Sequence, residues 1–297
     1  MSDSTASLRR KIGGAEDLQS VVRTMKAVAA SSIGQYEKSV RALDDYYRAV
    51  ELGLGACFRE GRPVPLISER KKRSDTGTIG AVVFGSDQGL VGQFNDVVAD
   101  FAITTLATLP GKPQVWAVGE RVHARLEDGG LPVTGLFTVP NSVKAITPLV
   151  GQIQIESEAH QAKDEYASVY VFHNRPQFGA LYDPVSQRLL PLDAQWQQGL
   201  AKVRWPTGNL PEVMHGGVGT LRALIREYLF ISLFRACAES LASENASRLA
   251  AMQRADKNIG ELQENLTRTF HRLRQNGIDE ELFDVVSGFE ALSPEEK

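Results

Sequence analysis

Two long segments with helical periodicity stand at opposite ends of this chain, and neither contains a proline. Apolar residues recur mostly three or four positions apart over Leu8–Leu54 and again over Leu249–Leu273. An apolar stripe kept through many turns is typical of helices that wind around each other. The sequence therefore predicts an antiparallel coiled coil of helices near residues 7–60 and 220–275, with a break at Asn276 and Gly277.

The region between these segments alternates strand patterns with helix patterns. The predicted strands are Thr78–Phe84, Gln114–Val118, Gly135–Val139, Ser168–Phe172 and Arg188–Leu192. The predicted helices between them are Gln93–Leu109, Glu120–Glu127 and Ala145–Ala162. Strands that alternate with helices favour a mostly parallel sheet covered by helices. The fold class predicted for the chain is thus α/β, a Rossmann-like domain combined with a coiled coil of the terminal helices.

Changes in composition along the chain suggest where its domains meet. Residues 61–77 hold Pro63, Pro65 and a basic triplet, as expected of an exposed linker. Two tryptophans, two prolines and a glycine cluster mark residues 193–219 as the connection back to the second long helix. We predict an N-terminal coiled-coil helix at 1–60, a linker at 61–77, an α/β domain at 78–212 and a C-terminal coiled-coil helix at 213–297.

Charge and cysteine usage exclude several classes of function. The net charge of −3 gives no overall attraction to nucleic acid. Cys57 and Cys237 are the two cysteines, and no CxxC or His/Cys spacing predicts a metal site. No signal pattern and no run of about 18 apolar residues occurs, so we expect the chain to reach a membrane only through protein partners.

Four segments carry a specific resemblance. They are Thr24–Ser31, Ser86–Asn95, Leu241–Met252 and Ile278–Gly288, with the sequences TMKAVAAS, SDQGLVGQFN, LASENASRLAAM and IDEELFDVVSG. Together they resemble the γ subunit of F-type (F1Fo) ATP synthases. The resemblance covers nearly the whole chain, with the segments in the family's order and on the predicted arrangement of helix, α/β domain and helix.

The resemblance implies a central-stalk rotor. Such a subunit couples rotation of the membrane c-ring to ATP synthesis or hydrolysis in a ring of three α and three β subunits, and the ε subunit is a further partner. The resemblance also implies that the chain is not itself catalytic and binds no cofactor or metal, since Mg-ATP and Mg-ADP lie on partner subunits. It implies a peripheral position on the cytoplasmic face of a bacterial inner membrane, in a complex that transports protons or sodium ions.

Seven residues match positions that the family uses for contact and coupling. They are Met25, Lys26, Arg248, Arg274, Gln275, Asp279 and Glu281. By the resemblance, the first two lie near the lever of a β subunit. Arg248 belongs to the motif of the second long helix. The last four lie in or near the C-terminal signature.

Some positions depart from the family pattern. The family usually has threonine at Asp279, alanine at Phe289 and a basic run at Ser32–Gln35. Fewer lysines in that run would change the electrostatic coupling to an acidic partner surface. These departures suggest a divergent member, of an alternative type of rotary ATPase.

Two interpretations from other classes stay open at this point. One is a small-molecule enzyme on the α/β domain, which predicts a ligand crevice at the carboxyl ends of the strands. The other is a coiled-coil scaffold, which predicts a symmetric homodimer. The glycines at 85, 89 and 92 lack the GxGxxG spacing and a GK[ST] ending, so a strand-to-helix turn is favoured over a nucleotide loop.

Overall fold

The computed structural model of the chain describes residues 4–59, 77–162, 166–177, 180–192, 194–209, 211–213 and 218–292. The helices in these ranges are α1 (Thr5–Arg59), α2 (Phe94–Thr108), α3 (Glu120–Asp128), α4 (Val143–Ala162), α5 (Ala194–Ala201) and α6 (Val218–Leu292). The strands are β1 (Thr78–Phe84), β2 (Lys112–Val118), β3 (Val133–Phe137), β4 (Tyr166–Gln177) and β5 (Ala180–Leu190). The chain divides into two compact units, which are residues 1–28 with 249–297 and residues 29–248.

The strands of the 29–248 unit form one sheet in the order β3-β2-β1-β4-β5. The pairs β1–β2, β2–β3 and β1–β4 are parallel, and β5 runs antiparallel to β4. The predicted mostly parallel α/β fold is therefore confirmed. The strand order changes direction between β1 and β4, which is where ligands bind in many open α/β sheets.

The two faces of this sheet are covered by different helices. Ile79, Ala81 and Val83 of β1 pack in one apolar cluster with residues of α2 and α3. Val82 and Phe84 belong to a second cluster with α4 and with residues 233–242 of α6. Side chains alternate between faces along a strand, so the continuous apolar run of β1 supplies both cores. A third cluster joins α1, α5 and the first turns of α6.

The unit formed by the chain ends is a pair of helices. Leu8, Ala15 and Val22 of α1 are buried at intervals of seven residues, as a coiled-coil seam requires. The Arg9 guanidinium lies 6.0 Å from the ring centre of Phe270. Farther along α1, residue 26 forms an ion pair with residue 256 of α6. Because residue numbers rise on α1 as they fall on α6, the two helices are antiparallel, as the sequence predicts.

Two details of the sequence prediction are wrong. The break predicted at Asn276 and Gly277 is absent, because α6 continues through both residues to Leu292. A helical glycine costs only about 1 kcal/mol, which a long cooperative helix can tolerate. The second is an omission: α5 lies within residues 193–219, which the sequence predicts only as the connection back to the second long helix. The predicted linker at 61–77 lies almost entirely outside the described residues.

Among the described residues, no helix combines the length and the apolar character needed to cross a membrane.

Candidate functional site

The loop after β1 is held by hydrogen bonds from its own side chains. Asn95 accepts a bond from the backbone N–H of Ser86 at 2.9 Å and donates one to the Ser86 hydroxyl at 2.9 Å. That hydroxyl donates in turn to the carbonyl of Gln88 at 2.9 Å. Leu90 and Gly92 have φ of +63° and +59°, which places both in the left-handed region. The loop is therefore a closed turn that satisfies its own polar groups.

Asp87 connects this loop to the segments that follow β2 and β3. One carboxylate oxygen accepts from the backbone N–H of Glu120 at 3.0 Å, and the other accepts from that of Val139 at 2.9 Å. At Gly119, with φ of +118°, a Cβ would lie 2.7 Å from the Ser86 carbonyl, so only glycine fits. The N–H at the start of α3 is thus already occupied by a side chain. This arrangement agrees with the structural interpretation of the glycine turn rather than with a phosphate site.

Helix α6 lies against β4 and against the loop that follows β1. The Ser243 hydroxyl donates to the backbone carbonyl of Asn174 at 3.0 Å, and the Ser247 hydroxyl donates to the carbonyl of Val91. The amide of Asn174 donates to the carbonyl of Phe94 at 2.9 Å. The small residues of the LASENASRLAAM segment therefore bring α6 against the edge at which a ligand crevice was expected.

Arg248, a residue predicted for coupling, pairs with its own helix. Its guanidinium donates to the Glu244 carboxylate one turn earlier at 2.6 Å. Their side chains are 13% and 8% exposed. Burial raises the pKa of Glu244 and the charge of Asp87 raises it further, while Arg248 opposes both. The Arg248 Nε makes no hydrogen bond to the described part of the chain. This arginine is largely buried within the 29–248 unit.

Lys26 lies in an ionic cluster of the coiled coil, which we call the Asp256 cluster (Gln19, Arg23, Lys26 and Asp256). The Lys26 ammonium is 2.7 Å from one Asp256 oxygen. The Gln19 amide donates to the other oxygen at 3.3 Å, and the Arg23 guanidinium lies 3.8 Å from it. The hydrogen bond from Lys26 is the largest cause of a lowered pKa at Asp256. Met25, beside Lys26, is half-buried.

The end of α6 presents the other four predicted coupling residues. Arg274, Gln275, Asp279 and Glu281 are all exposed. Large apolar side chains are exposed among them, including Leu282 at 61% and Phe283 at 70%. Exposed apolar side chains that cluster in this way mark an interaction surface. We call residues 278–286 the C-terminal apolar segment.

One polar cluster was missed in the sequence. The Glu239 cluster consists of Asp44, His173, Arg175, Arg235 and Glu239. His173, Arg175 and Arg235 each place a side-chain nitrogen 2.8 Å from a Glu239 oxygen. Burial raises the pKa of Glu239, but the hydrogen bonds from His173, Arg235 and Arg175 outweigh it and lower the pKa to about 2. The sequence feature that could have indicated this cluster is a carboxylate, Glu239, inside the run of small and apolar residues at 236–242 of α6.

The described residues include no group of three or more His, Cys, Asp or Glu side chains that could hold a metal ion.

Comparison with known proteins gives consistent results. The family model described as ATP synthase matches residues 4–292. The ATP synthase gamma chain of Dechloromonas aromatica is 25% identical over 291 residues, which cover 96% of this chain and 98% of that relative. The gamma chain of Nitrosomonas eutropha is 27% identical over 305 residues, covering 97% of this chain and 99% of the relative.

Solved structures resemble the fold. A chain of the Euglena gracilis mitochondrial ATP synthase, from a cryo-EM structure of OSCP, F1 and the c-ring in rotational state 3, has a TM-score of 0.62 at 16% identity. The match covers 99% of this chain and 98% of that chain. A chain of the rotor of the same synthase in rotational state 1 has a TM-score of 0.60 at 17% identity, covering 92% and 98%.

Proposed function

This chain belongs to the ATP synthase γ-chain family, and we propose how its surfaces serve that role. It is a central-stalk rotor subunit of an F-type ATP synthase. The single observation that carries this conclusion is a family match that runs through both long helices and the α/β domain alike.

The coiled coil is the part that acts on the catalytic subunits. Its two helices differ in sequence, so the pair presents different side chains in different directions. A rod of this kind can favour different conformations in three equivalent subunits, because each subunit meets a different side of it. Rotation is then coupled to nucleotide affinity by the difference in contact free energy.

The partners are three α subunits, three β subunits, an ε subunit and a membrane c-ring. The C-terminal apolar segment supports a protein partner at the end of α6, since side chains such as Phe283 are exposed in the described chain. The chain does not catalyse ATP chemistry and binds no cofactor, because Mg-ATP and Mg-ADP bind to the α and β subunits. It lies on the cytoplasmic side of a bacterial inner membrane and associates with the bilayer through the c-ring.

The seven coupling residues divide by their surroundings. Arg274, Gln275, Asp279 and Glu281 are exposed and can contact the α and β subunits directly. Lys26 is engaged with Asp256, so it acts by setting the charge and shape of the coiled coil. Met25 lies beside it. Arg248 is paired with Glu244 and acts by fixing α6.

The experiment that tests this function is reconstitution with partners. The chain would be co-expressed with the α and β subunits of the same organism, and the complex would be weighed by native mass spectrometry. One copy per three α and three β subunits is expected. A symmetric homodimer, or no association, would contradict the rotor function and favour the scaffold or enzyme.

A further inference from the structure

The Glu239 cluster joins three elements of the 29–248 unit at one carboxylate. The Oε2 atom of Glu239, on α6, accepts hydrogen bonds from Nε2 of His173 and Nε of Arg175 at 2.8 Å, and both donors lie on β4. Its Oε1 atom accepts a hydrogen bond at 2.8 Å from Nε of Arg235, which lies one helical turn earlier. Arg235 also reaches α1, where its Nη1 atom lies 3.4 Å from Asp44. The cluster therefore links the sheet to both long helices.

Burial makes this link unlike a surface ion pair. The side chains of His173 and Glu239 are 1% and 6% exposed. Water cannot readily replace a lost partner at such a site, so removing one member leaves a buried polar group unsatisfied. The cluster therefore resists rearrangement more strongly than the exposed pairs of the same unit do.

The packing around Glu239 is apolar and differs in kind from the cluster. The residues that α6 contributes to the apolar core around Glu239 are Leu233, Phe234 and Leu241 with the small residues Ala236, Cys237, Ala238 and Ala242. Apolar contacts of this kind oppose separation but are non-directional, so they give little resistance to sliding. Hydrogen bonds between charged groups need defined distances and angles. In the described part of the chain, the directional bonds between α6 and β4 are therefore those of Glu239 and that of the Ser243 hydroxyl to the Asn174 carbonyl, and the bonds of Glu239 are the charged ones.

We propose that the Glu239 cluster transmits torque between the sheet and the two long helices. This proposal rests on the rotor function above. A rotor whose α/β domain receives torque must pass that torque to its helices without slipping, and this cluster fixes β4, α6 and α1 together. Glu239, His173, Arg175 and Arg235 are positioning residues, since they touch neither nucleotide nor the transported ion.

The test uses Glu239→Gln in the complete membrane-bound complex. The amide keeps the shape of the side chain but removes the charge that three donors share. ATP hydrolysis and ATP-driven ion pumping would be measured in the same vesicles, and torsional stiffness would be measured from the fluctuations of a bead attached to the rotor. We expect a nearly unchanged hydrolysis rate, with ions pumped per ATP lowered roughly threefold or more, because the charge-assisted hydrogen bonds that hold β4 to α6 are replaced by weaker neutral ones. Torsional stiffness should fall as well.

A matched control is Glu227→Gln. Glu227 of α6 accepts a bond from the Tyr46 hydroxyl of α1 at 2.8 Å, but this contact is exposed and does not include the sheet. The control should pump as many ions per ATP as the wild type. Wild-type pumping and stiffness in Glu239→Gln would overturn the proposal.

A second variant covers the case in which Glu239→Gln does not assemble. Arg175→Gln removes a partner whose side chain is 45% exposed and leaves Glu239 bonded to His173 and Arg235. We expect a smaller loss of pumping per ATP, which Arg175→Lys should partly restore. Unchanged pumping in Arg175→Gln would also overturn the proposal. If the wild-type chain does not associate with α and β subunits, the rotor function is contradicted, and the torque proposal, which rests on it, is contradicted as well.

Discussion

Two carboxylates, one in each compact unit, bind similar donors in different surroundings. Glu239 in the 29–248 unit accepts from His173, Arg175 and Arg235, and its side chain is 6% exposed. Asp256 in the coiled coil accepts from Lys26 and Gln19, and its side chain is 21% exposed. The donors to Glu239 come from two different elements, whereas those to Asp256 all lie on α1.

The two clusters differ in burial as well as in the number of donors, and burial gives an ion cluster more energetic weight. Solvent screens the exposed pair, so forming or losing it changes the free energy of folding little. In the buried cluster, losing the carboxylate leaves the buried His173 without its acceptor and takes a partner from Arg175 and Arg235, whose side chains are only partly exposed. The Glu239 cluster therefore fixes elements in place. The Asp256 cluster, which is partly exposed, holds its helices together less firmly.

The largest expected effect is that of Glu239→Ala on stability. It removes the shared acceptor of three buried or half-buried donors, and breaking such a pair lowers the free energy of unfolding by about 3–5 kcal/mol. All three tryptophans, Trp116, Trp196 and Trp205, lie in the 29–248 unit. Urea denaturation of the full chain followed by tryptophan fluorescence would therefore report on this unit. A loss no greater than that of the exposed control Glu227→Ala would contradict the comparison.

The second prediction concerns acid. Burial lowers the pKa of His173, so the unfolded chain binds a proton there more readily than the folded chain, and stability falls as pH drops below about 6.5. Glu239 has a folded pKa of about 2, so its contribution is complete above about 4.3 and is lost between there and about 2. Urea titrations from pH 7.5 to pH 5 should give a shallower pH dependence for His173→Gln than for the wild type. Parallel curves would show that His173 does not cause the acid sensitivity.

The third prediction separates stability from association. Phe283 is 70% exposed, so Phe283→Asp should leave the unfolding of the isolated chain nearly unchanged, within about 0.5 kcal/mol. Binding to the α and β subunits should weaken roughly tenfold, since burying a phenylalanine contributes about 1.5–3 kcal/mol. Titration with the α and β subunits measures this change. As a control, Leu18→Asp removes an exposed apolar side chain of α1 and tests whether losing any such side chain of the coiled coil weakens binding equally. If Phe283→Asp assembles as well as the wild type, the role of the C-terminal apolar segment is contradicted.

The smallest effect should come from Asp256→Asn. The asparagine carbonyl can still accept a hydrogen bond from one of the two donors, Lys26 or Gln19, and solvent screens the charge that is lost and hydrates the other donor. Thermal melting followed by circular dichroism at the helical band should shift far less than for Glu239→Ala. A shift as large as that of Glu239→Ala would show that the coiled coil depends on this charge, and the contrast between the two clusters would then be wrong.

The sequence anticipated local patterns well and long-range partners poorly. Leu8, Ala15 and Val22 predict the seam because residues seven apart, about two helical turns, lie on the same face of a helix. Helix α5 was missed, since its eight residues have a weak pattern and the ring of Trp196 packs against those of Tyr228 and Phe58 at 4.9 Å and 5.9 Å. Short helices depend on such packing more than on intrinsic propensity.

The candidate site divides in the same way. The motifs predict Arg248 and Lys26 as coupling residues, and the spacing of Glu244 and Arg248 is that of a pair one helical turn apart, but nothing in the sequence indicates that Asp256 is the partner of Lys26. The Glu239 cluster was missed entirely, because His173 and Arg175 lie 66 and 64 residues away from Glu239 in the sequence. No periodic pattern relates a strand residue to a helix residue at that separation.

The two long helices, the alternation that builds a mostly parallel sheet and the family to which the chain belongs all follow from the sequence alone. These properties follow from side-chain periodicity and from contiguous motifs, which are local in the chain. Only the tertiary structure decided that Glu239 is buried among three donors while Asp256 stays near solvent. Burial results from the packing of distant segments. Because of burial, the hydrogen-bonded carboxylate of Glu239 holds its elements firmly in one unit, whereas the more exposed carboxylate of Asp256 makes a weak contact in the other.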